Sequence, residues 1–162
     1  MSPRAAQAVI LVRHAHADWP DYHGCDLDRP LTPQGEADAA ATAQAIRAAG
    51  NIPALLLVSP ALRTRQTAAI IAHGLGLDDS AIVLVDSLYN ASAETLEDEL
   101  RSASATAGGT VVLVAHNPGI SELARRLGRD PSFRPFAPGH WRLLNLGGGS
   151  PRPRSAGASH GA

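Results

Sequence analysis

The chain has 162 residues and a formal net charge of -1 at pH 7, which suits one domain and leaves no overall field to attract nucleic acid or an anionic membrane. The single cysteine, Cys25, excludes an internal disulfide and a multi-cysteine zinc site. No apolar run approaches the roughly 20 residues needed to cross a bilayer, and the first residues lack the apolar region of a secretion signal, so a cytoplasmic protein is expected.

Apolar runs and helix signals predict an alternating order of strands and helices. Residues 9–12 are continuously apolar, as in strands that are covered on both faces. Thr32-Pro33 has the pattern of a helix cap followed by proline, and Gly50 is a C-terminal stop for that helix. The remaining predicted elements are strand 55–58, a helix from Ser59-Pro60 to about His73, strand 82–85 near a sheet edge, helix 93–104, strand 110–115, a helix from Asn117-Pro118 to near Gly128, and strand 141–146.

This alternation predicts an α/β fold, namely a three-layer α/β/α sandwich with a mostly parallel central sheet and helices on both faces. After residue 146 the composition changes to Gly, Ser, Pro and Arg. A segment of that composition buries too little apolar surface to order itself. We therefore predict one domain over residues 1–146 and a disordered tail over residues 147–162.

Charged and polar side chains follow four of the predicted strands, at the point where each strand ends. In open α/β sheets, ligands bind beyond the carboxyl ends of the strands, so we expect these side chains to gather at one rim. The fourth strand is followed directly by a helix N-terminus. The candidate site residues are Arg13, His14, Arg63, Asp86, His116 and Asn117.

This set of side chains suits a phosphoryl group. Arginine forms paired, charge-assisted hydrogen bonds to phosphate oxygens, and a helix N-terminus adds free N–H donors. Phosphoryl transfer depends mainly on positioning and on stabilising the charge on those oxygens. A neutral imidazole is a nucleophile near pH 7. The residues alone therefore predict a phosphoryl pocket in which His14 attacks phosphorus.

Zinc binding is an alternative interpretation of the same region. His14, His16 and Asp18 match the H-x-H-x-D part of a metallo-β-lactamase-like zinc motif, and zinc uses such ligands. The full motif continues with another histidine, where this chain has Trp19. Zinc would also leave Arg13 unexplained, because a cation beside a dication is unfavourable. We therefore prefer the phosphoryl interpretation.

Four short motifs occur in a characteristic order along the chain. Arg13-His14-Ala15 matches R-H-G, and residues 59–68 match S-x-x-x-R-x-x-Q-T-A. Residues 115–118 match G-H-N-P, and residues 26–32 read D-L-D-R-P-L-T. Together they resemble the histidine phosphatase superfamily, which has the phosphoglycerate-mutase-like fold. The last motif is similar to that of the small bacterial SixA-like phosphohistidine phosphatases.

The resemblance implies a covalent mechanism that requires no metal or other cofactor. His14 would be phosphorylated and then hydrolysed, while Arg13, Arg63 and His116 hold the phosphoryl oxygens and Asn117 also binds the substrate. Larger relatives carry a general-acid Glu after the third strand, and the nearest equivalent here, counted back from Tyr89, is Asp86. The chain departs from the family pattern at three positions, which are Ala15, Ala115 and His16.

The expected substrate is a phosphohistidine-bearing protein, such as a histidine-phosphotransfer domain. Imidazole departs as a neutral group, so it needs less help from a strong general acid than an alkoxide does. The chain is also too short for a large lid, which leaves the site open to a protein surface. A small phosphate ester is the alternative substrate. A phosphopeptide-binding module without turnover is a further alternative, although binding alone would not need His14 and His116.

Overall fold

The computed structural model describes residues 7–146, so the predicted tail over 147–162 lies outside the described residues. Within this range the strands form one sheet in the order β3-β2-β4-β1-β5. Strand β1 pairs in parallel with β4, and β2 pairs in parallel with both β3 and β4, while β5 runs antiparallel to β1. The strand bounds are β1 (Ala8–Arg13), β2 (Leu55–Val58), β3 (Ile82–Leu84), β4 (Val111–Ala115) and β5 (Trp141–Asn145).

Helices cover both faces of the sheet. Along β1, Val9 and Leu11 belong to the cluster that includes the buried side chains of α3 and α4, while Ile10 and Val12 belong to the cluster of α1 and α2. This alternation follows from the two-residue period of a strand. The predicted three-layer α/β/α fold with a mostly parallel sheet is confirmed. The helix bounds are α1 (Pro33–Ala48), α2 (Leu62–Gly74), α3 (Ala93–Ala107) and α4 (Gly119–Gly128).

The helix signals in the sequence hold at α1 and fail at α2. Thr32 caps α1, because its hydroxyl oxygen accepts a hydrogen bond from the Gly35 amide at 3.1 Å. The similar Ser59-Pro60 pair does not cap α2, which begins at Leu62 with Ala61 before it. The Ser59 hydroxyl is instead 2.7 Å from a ring nitrogen of His116.

Other element bounds differ from the sequence prediction by up to three residues, as at α3 and β3. Helix α3 continues to Ala107 and is followed by Gly108, whose φ of 76° lies in the left-handed region that favours glycine. Strand β3 ends at Leu84 and lies at the edge of the sheet, as predicted. No helix among residues 7–146 is both long enough and apolar enough to cross a membrane.

Candidate active site

The adjacent strands β2, β4 and β1 bring the candidate residues to one end of the sheet. The backbone amide of His14 donates to Ala115 at 3.1 Å, and the amide of Ser59 donates to Val114 at 3.2 Å. These bonds continue the parallel ladder past the last strand residues. They therefore fix His14, Ser59 and His116 side by side beyond the strand ends, where ligands bind in open α/β sheets.

His14 is buried and electrically neutral at pH 7. Only 8% of the residue is exposed, and its Nδ1 is 2.8 Å from the carbonyl oxygen of Ala15. Since a carbonyl only accepts, Nδ1 carries the proton and Nε2 keeps its lone pair. Burial above all, and then the charges of Arg63 and Arg13, lower the pKa of His14 from 6.5 to about 4. The side chain is therefore an imidazole with a free nucleophilic nitrogen.

His116 lies next to His14, with the two ring centroids 5.5 Å apart. Its Nδ1 is 3.4 Å from Nη2 of Arg63 and its Nε2 is 2.7 Å from the Ser59 hydroxyl. Arginine only donates, so Nδ1 accepts and Nε2–H donates to Ser59. Burial, followed by the charge of Arg63, lowers the pKa of His116 to about 3. Both imidazoles are thus neutral, and the positive charge of the site comes from arginine.

The two arginines keep unused donors inside the protein. Arg63 is 3% exposed and donates from Nη1 to the Asp26 carbonyl at 2.7 Å and from Nη2 to the Asp26 carboxylate at 3.0 Å. Arg13 donates from Nη1 to the Phe136 carbonyl at 3.0 Å. The Nε atoms of both arginines are buried and have no partner within residues 7–146. Buried donors without partners are unfavourable, and an anion bound between them would remove that cost.

Two residues to which the sequence prediction gave no role complete the site. Oδ2 of Asp26 accepts from the Tyr89 hydroxyl at 2.6 Å as well as from Arg63, and Oδ1 accepts from Arg29 at 3.0 Å. The Tyr89 bond, followed by those from the arginines, holds the pKa of Asp26 well below its usual range. The Tyr89 ring meets the His116 ring edge-on at 5.6 Å. The D-L-D-R-P-L-T motif contained Asp26, but its contact with Arg63 was not evident from sequence.

Two predicted site residues are placed differently from the others. Asp86 is exposed at the start of a short 3-10 turn, and within the described chain no hydrogen bond or ion pair joins its carboxylate to the arginines or histidines of the site. Asn117 is close to the site, but its amide donates to the Phe136 carbonyl at 2.9 Å and accepts from Ser121. Asn117 therefore secures the segment that also contacts Arg13.

The three candidate zinc ligands do not converge. Nδ1 of His16 is 2.8 Å from the Thr32 hydroxyl, and its Nε2 is 3.9 Å from a carboxylate oxygen of the largely exposed Asp18. Nδ1 of His14 is bonded to a backbone carbonyl. Across the part of the chain that the structure describes, no three His, Cys, Asp or Glu side chains are grouped to hold a metal ion.

Known proteins share both sequence and fold with this chain. Residues 9–101 match the model of the histidine phosphatase superfamily, branch 1. An uncharacterised chloroplastic protein of Arabidopsis thaliana is 35% identical over 133 residues, covering 78% of this chain and 61% of its own length. The chain therefore spans less than two thirds of that relative.

Solved structures give a consistent result. A protein of Agrobacterium tumefaciens assigned as the phosphohistidine phosphatase SixA is 29% identical, with a TM-score of 0.73 over 86% of this chain and 92% of that one. A mycobacterial glucosyl-3-phosphoglycerate phosphatase is 18% identical, with a TM-score of 0.68 over 93% of this chain and 97% of that one. At that identity the second likeness shows the shared fold alone.

Proposed function

The chain belongs to the histidine phosphatase superfamily, and from this premise we propose that it is a phosphatase that forms a covalent phosphohistidine on His14. The observation that carries the proposal is the state of His14. Its Nδ1 proton is held by the Ala15 carbonyl at 2.8 Å, and its depressed pKa keeps Nε2 unprotonated at pH 7. An imidazole nitrogen with such a lone pair can attack without first losing a proton.

The first half-reaction transfers the phosphoryl group to the enzyme. The Nε2 lone pair of His14 attacks phosphorus, and the bond between phosphorus and the leaving group breaks, with its electron pair departing on the leaving group. Negative charge on the equatorial oxygens is stabilised by Arg13 and Arg63, whose buried Nε–H groups lack partners in the described chain. No step in this scheme requires a metal ion.

His116 adds a hydrogen bond to the same oxygens if its proton moves to Nδ1. Its partner at Nε2 is the hydroxyl of Ser59 at 2.7 Å, and a hydroxyl both donates and accepts. The pair therefore accommodates either tautomer of a neutral imidazole. In the second half-reaction, water attacks the phosphorus of phosphohistidine, the phosphorus–nitrogen bond breaks, and phosphate and neutral His14 are released.

A phosphohistidine-bearing protein is the proposed substrate. The position of Asp86 supports this choice, because its exposed carboxylate has no bond to the site within residues 7–146. An imidazole leaving group needs less protonation than an alkoxide, so a site without a strong acid favours it. The likeness to a protein assigned as SixA points the same way. A small phosphate ester is the second candidate, which the fold shared with a glucosyl-3-phosphoglycerate phosphatase favours.

Parallel rate measurements on three substrates test the proposal. We expect kcat/KM for a phosphorylated histidine-phosphotransfer domain to exceed that for a phosphoserine peptide and for sugar phosphates by at least tenfold. His14→Ala is the control and should lose all three activities. If a sugar phosphate is turned over faster than the phosphorylated protein, the substrate is a small phosphate ester. Binding of phosphopeptides without any turnover would make the chain a binding module.

A further inference from the structure

Arg63 presents two different edges to its surroundings. The terminal edge, Nη1 and Nη2, is occupied by Asp26 through its carbonyl at 2.7 Å and its Oδ2 at 3.0 Å. The side edge consists of Nε–H and the second N–H of Nη2. Nε has no partner in the described chain, and apart from its bond to Asp26 the Nη2 atom makes a long 3.4 Å contact with His116. The guanidinium is thus held at one edge and open at the other.

Asp26 is itself fixed by residues from separate parts of the chain. Its carboxylate accepts from Arg63 on α2, from Tyr89 beyond β3, and from Arg29 after its own short turn. A carboxylate with one donor would rotate, whereas three donors define the direction of each oxygen. The side chain of Arg63 is only 4% exposed while that of Asp26 is 49% exposed. Burying the Arg63 charge therefore costs free energy, which the ion pair with Asp26 offsets.

We propose that Asp26 is the positioning residue for Arg63, holding the guanidinium by its terminal edge so that the side edge faces the phosphoryl oxygens. The inference rests on the proposed function, since it assigns the free edge to the phosphoryl group. A planar guanidinium binds two oxygens only when its plane and direction are correct. Without the Asp26 carboxylate, only the backbone carbonyl of residue 26 would hold the terminal edge of Arg63, and the guanidinium would turn out of its side-on geometry.

The adjacent Asp28 provides a matched control. It belongs to the same 3-10 turn, Asp26–Asp28, and is exposed, but it makes no hydrogen bond or ion pair to Arg63 within residues 7–146. Asp26→Asn removes the charge while keeping the size and one oxygen of the side chain. We expect it to lower kcat/KM with p-nitrophenyl phosphate about tenfold, as loss of charge assistance weakens such bonds. Asp28→Asn should stay within twofold of the wild type.

A double-mutant cycle separates positioning from a general structural role. If Asp26 acts through Arg63, Asp26→Asn adds no more than twofold to the loss already caused by Arg63→Met, which leaves no cation for Asp26 to hold. The same cycle is measured as the affinity for inorganic phosphate by calorimetry, which does not require turnover. The proposal would be overturned if the losses of the two single variants multiplied in the double variant in both measurements. It would also be overturned if kcat/KM of Asp26→Asn stayed within twofold of the wild type. A wild-type protein that neither binds phosphate nor hydrolyses any phosphate compound would instead defeat the proposed function.

Discussion

Replacing Arg63 by lysine keeps the charge of the site but removes its geometry. The guanidinium makes two hydrogen bonds to Asp26, at 2.7 and 3.0 Å, and keeps its buried Nε–H for an anion. A lysine ammonium is a single point that has no second edge. If it stays with Asp26 it leaves the phosphoryl oxygens, and if it follows the oxygens it leaves Asp26. Arg63→Lys therefore loses at least one charge-assisted hydrogen bond in the transition state.

The size of the loss follows from the strength of such a bond. A hydrogen bond to a charged group contributes about 1.5–3 kcal/mol, and each 1.4 kcal/mol in the barrier is about tenfold in rate. Arg63→Lys should therefore lower kcat/KM by about 10- to 150-fold. The loss should appear as a lower kcat as well as a higher KM, because the side edge of Arg63 is proposed to contact the transferring oxygens.

The matched control for this substitution is Arg65→Lys. Arg65 lies on the same helix, is exposed, and donates from Nε to the Pro60 carbonyl at 3.0 Å. Both variants and the wild type are assayed at fixed pH, with thermal unfolding measured to confirm that they are folded. We expect Arg65→Lys to stay within twofold of the wild type. Arg63→Lys with wild-type kcat/KM would show that Arg63 does not bind the phosphoryl group.

Four further measurements test other parts of the account. Because the pKa of His14 falls from 6.5 in the unfolded chain to about 4 in the free protein, kcat/KM should show no loss from protonation of His14 between pH 7 and 5.5 and should decline through pH 4; a midpoint near 6.5 would contradict this. In the same window the unfolded chain binds one extra proton at His14 and one at His116, so each should lower the free energy of unfolding by about 2–3 kcal/mol between pH 7 and 4.5, and His14→Gln should keep only the His116 part. Gly35→Ala should lower the free energy of unfolding by about 1–3 kcal/mol in urea titrations, since a Cβ at residue 35 would lie 2.1 Å from the His16 carbonyl oxygen. Gln34→Ala, at an exposed neighbouring position, serves as the control, and equal stability of the two variants would refute this close contact. Dialysis against a chelator should leave activity unchanged, and loss of activity restored by zinc would favour the zinc interpretation.

The elements that depend on local signals were predictable from the sequence. Strand β1 has a continuous apolar pattern, and the Thr32-Pro33 cap places the start of α1 because capping involves neighbours only three residues away. Ser59-Pro60 shows the same local pattern with a different outcome. The Ser59 hydroxyl bonds to His116, which is 57 positions away, and this tertiary contact replaces the cap.

The interior of the candidate site depended on contacts that local patterns do not contain. The bond between Arg63 and Asp26 joins residues 37 positions apart, and the one between Tyr89 and Asp26 spans 63 positions. Near β3 the sequence prediction chose Asp86 as the acid, whereas the 3-10 turn Asp86–Leu88 leaves that residue exposed and brings Tyr89 beside His116. Residue type at the strand ends predicted which side chains gather at the candidate site, but the direction of each side chain came from the turn that follows.

Trapping the phosphorylated enzyme tests the central claim most directly. The protein is mixed with radiolabelled substrate, quenched with base within the first turnover, and digested for peptide mapping. The account predicts a label on His14 that is stable to base and labile to acid, with no label in His14→Ala. Turnover without any label on His14, together with retained activity in His14→Ala, would contradict it.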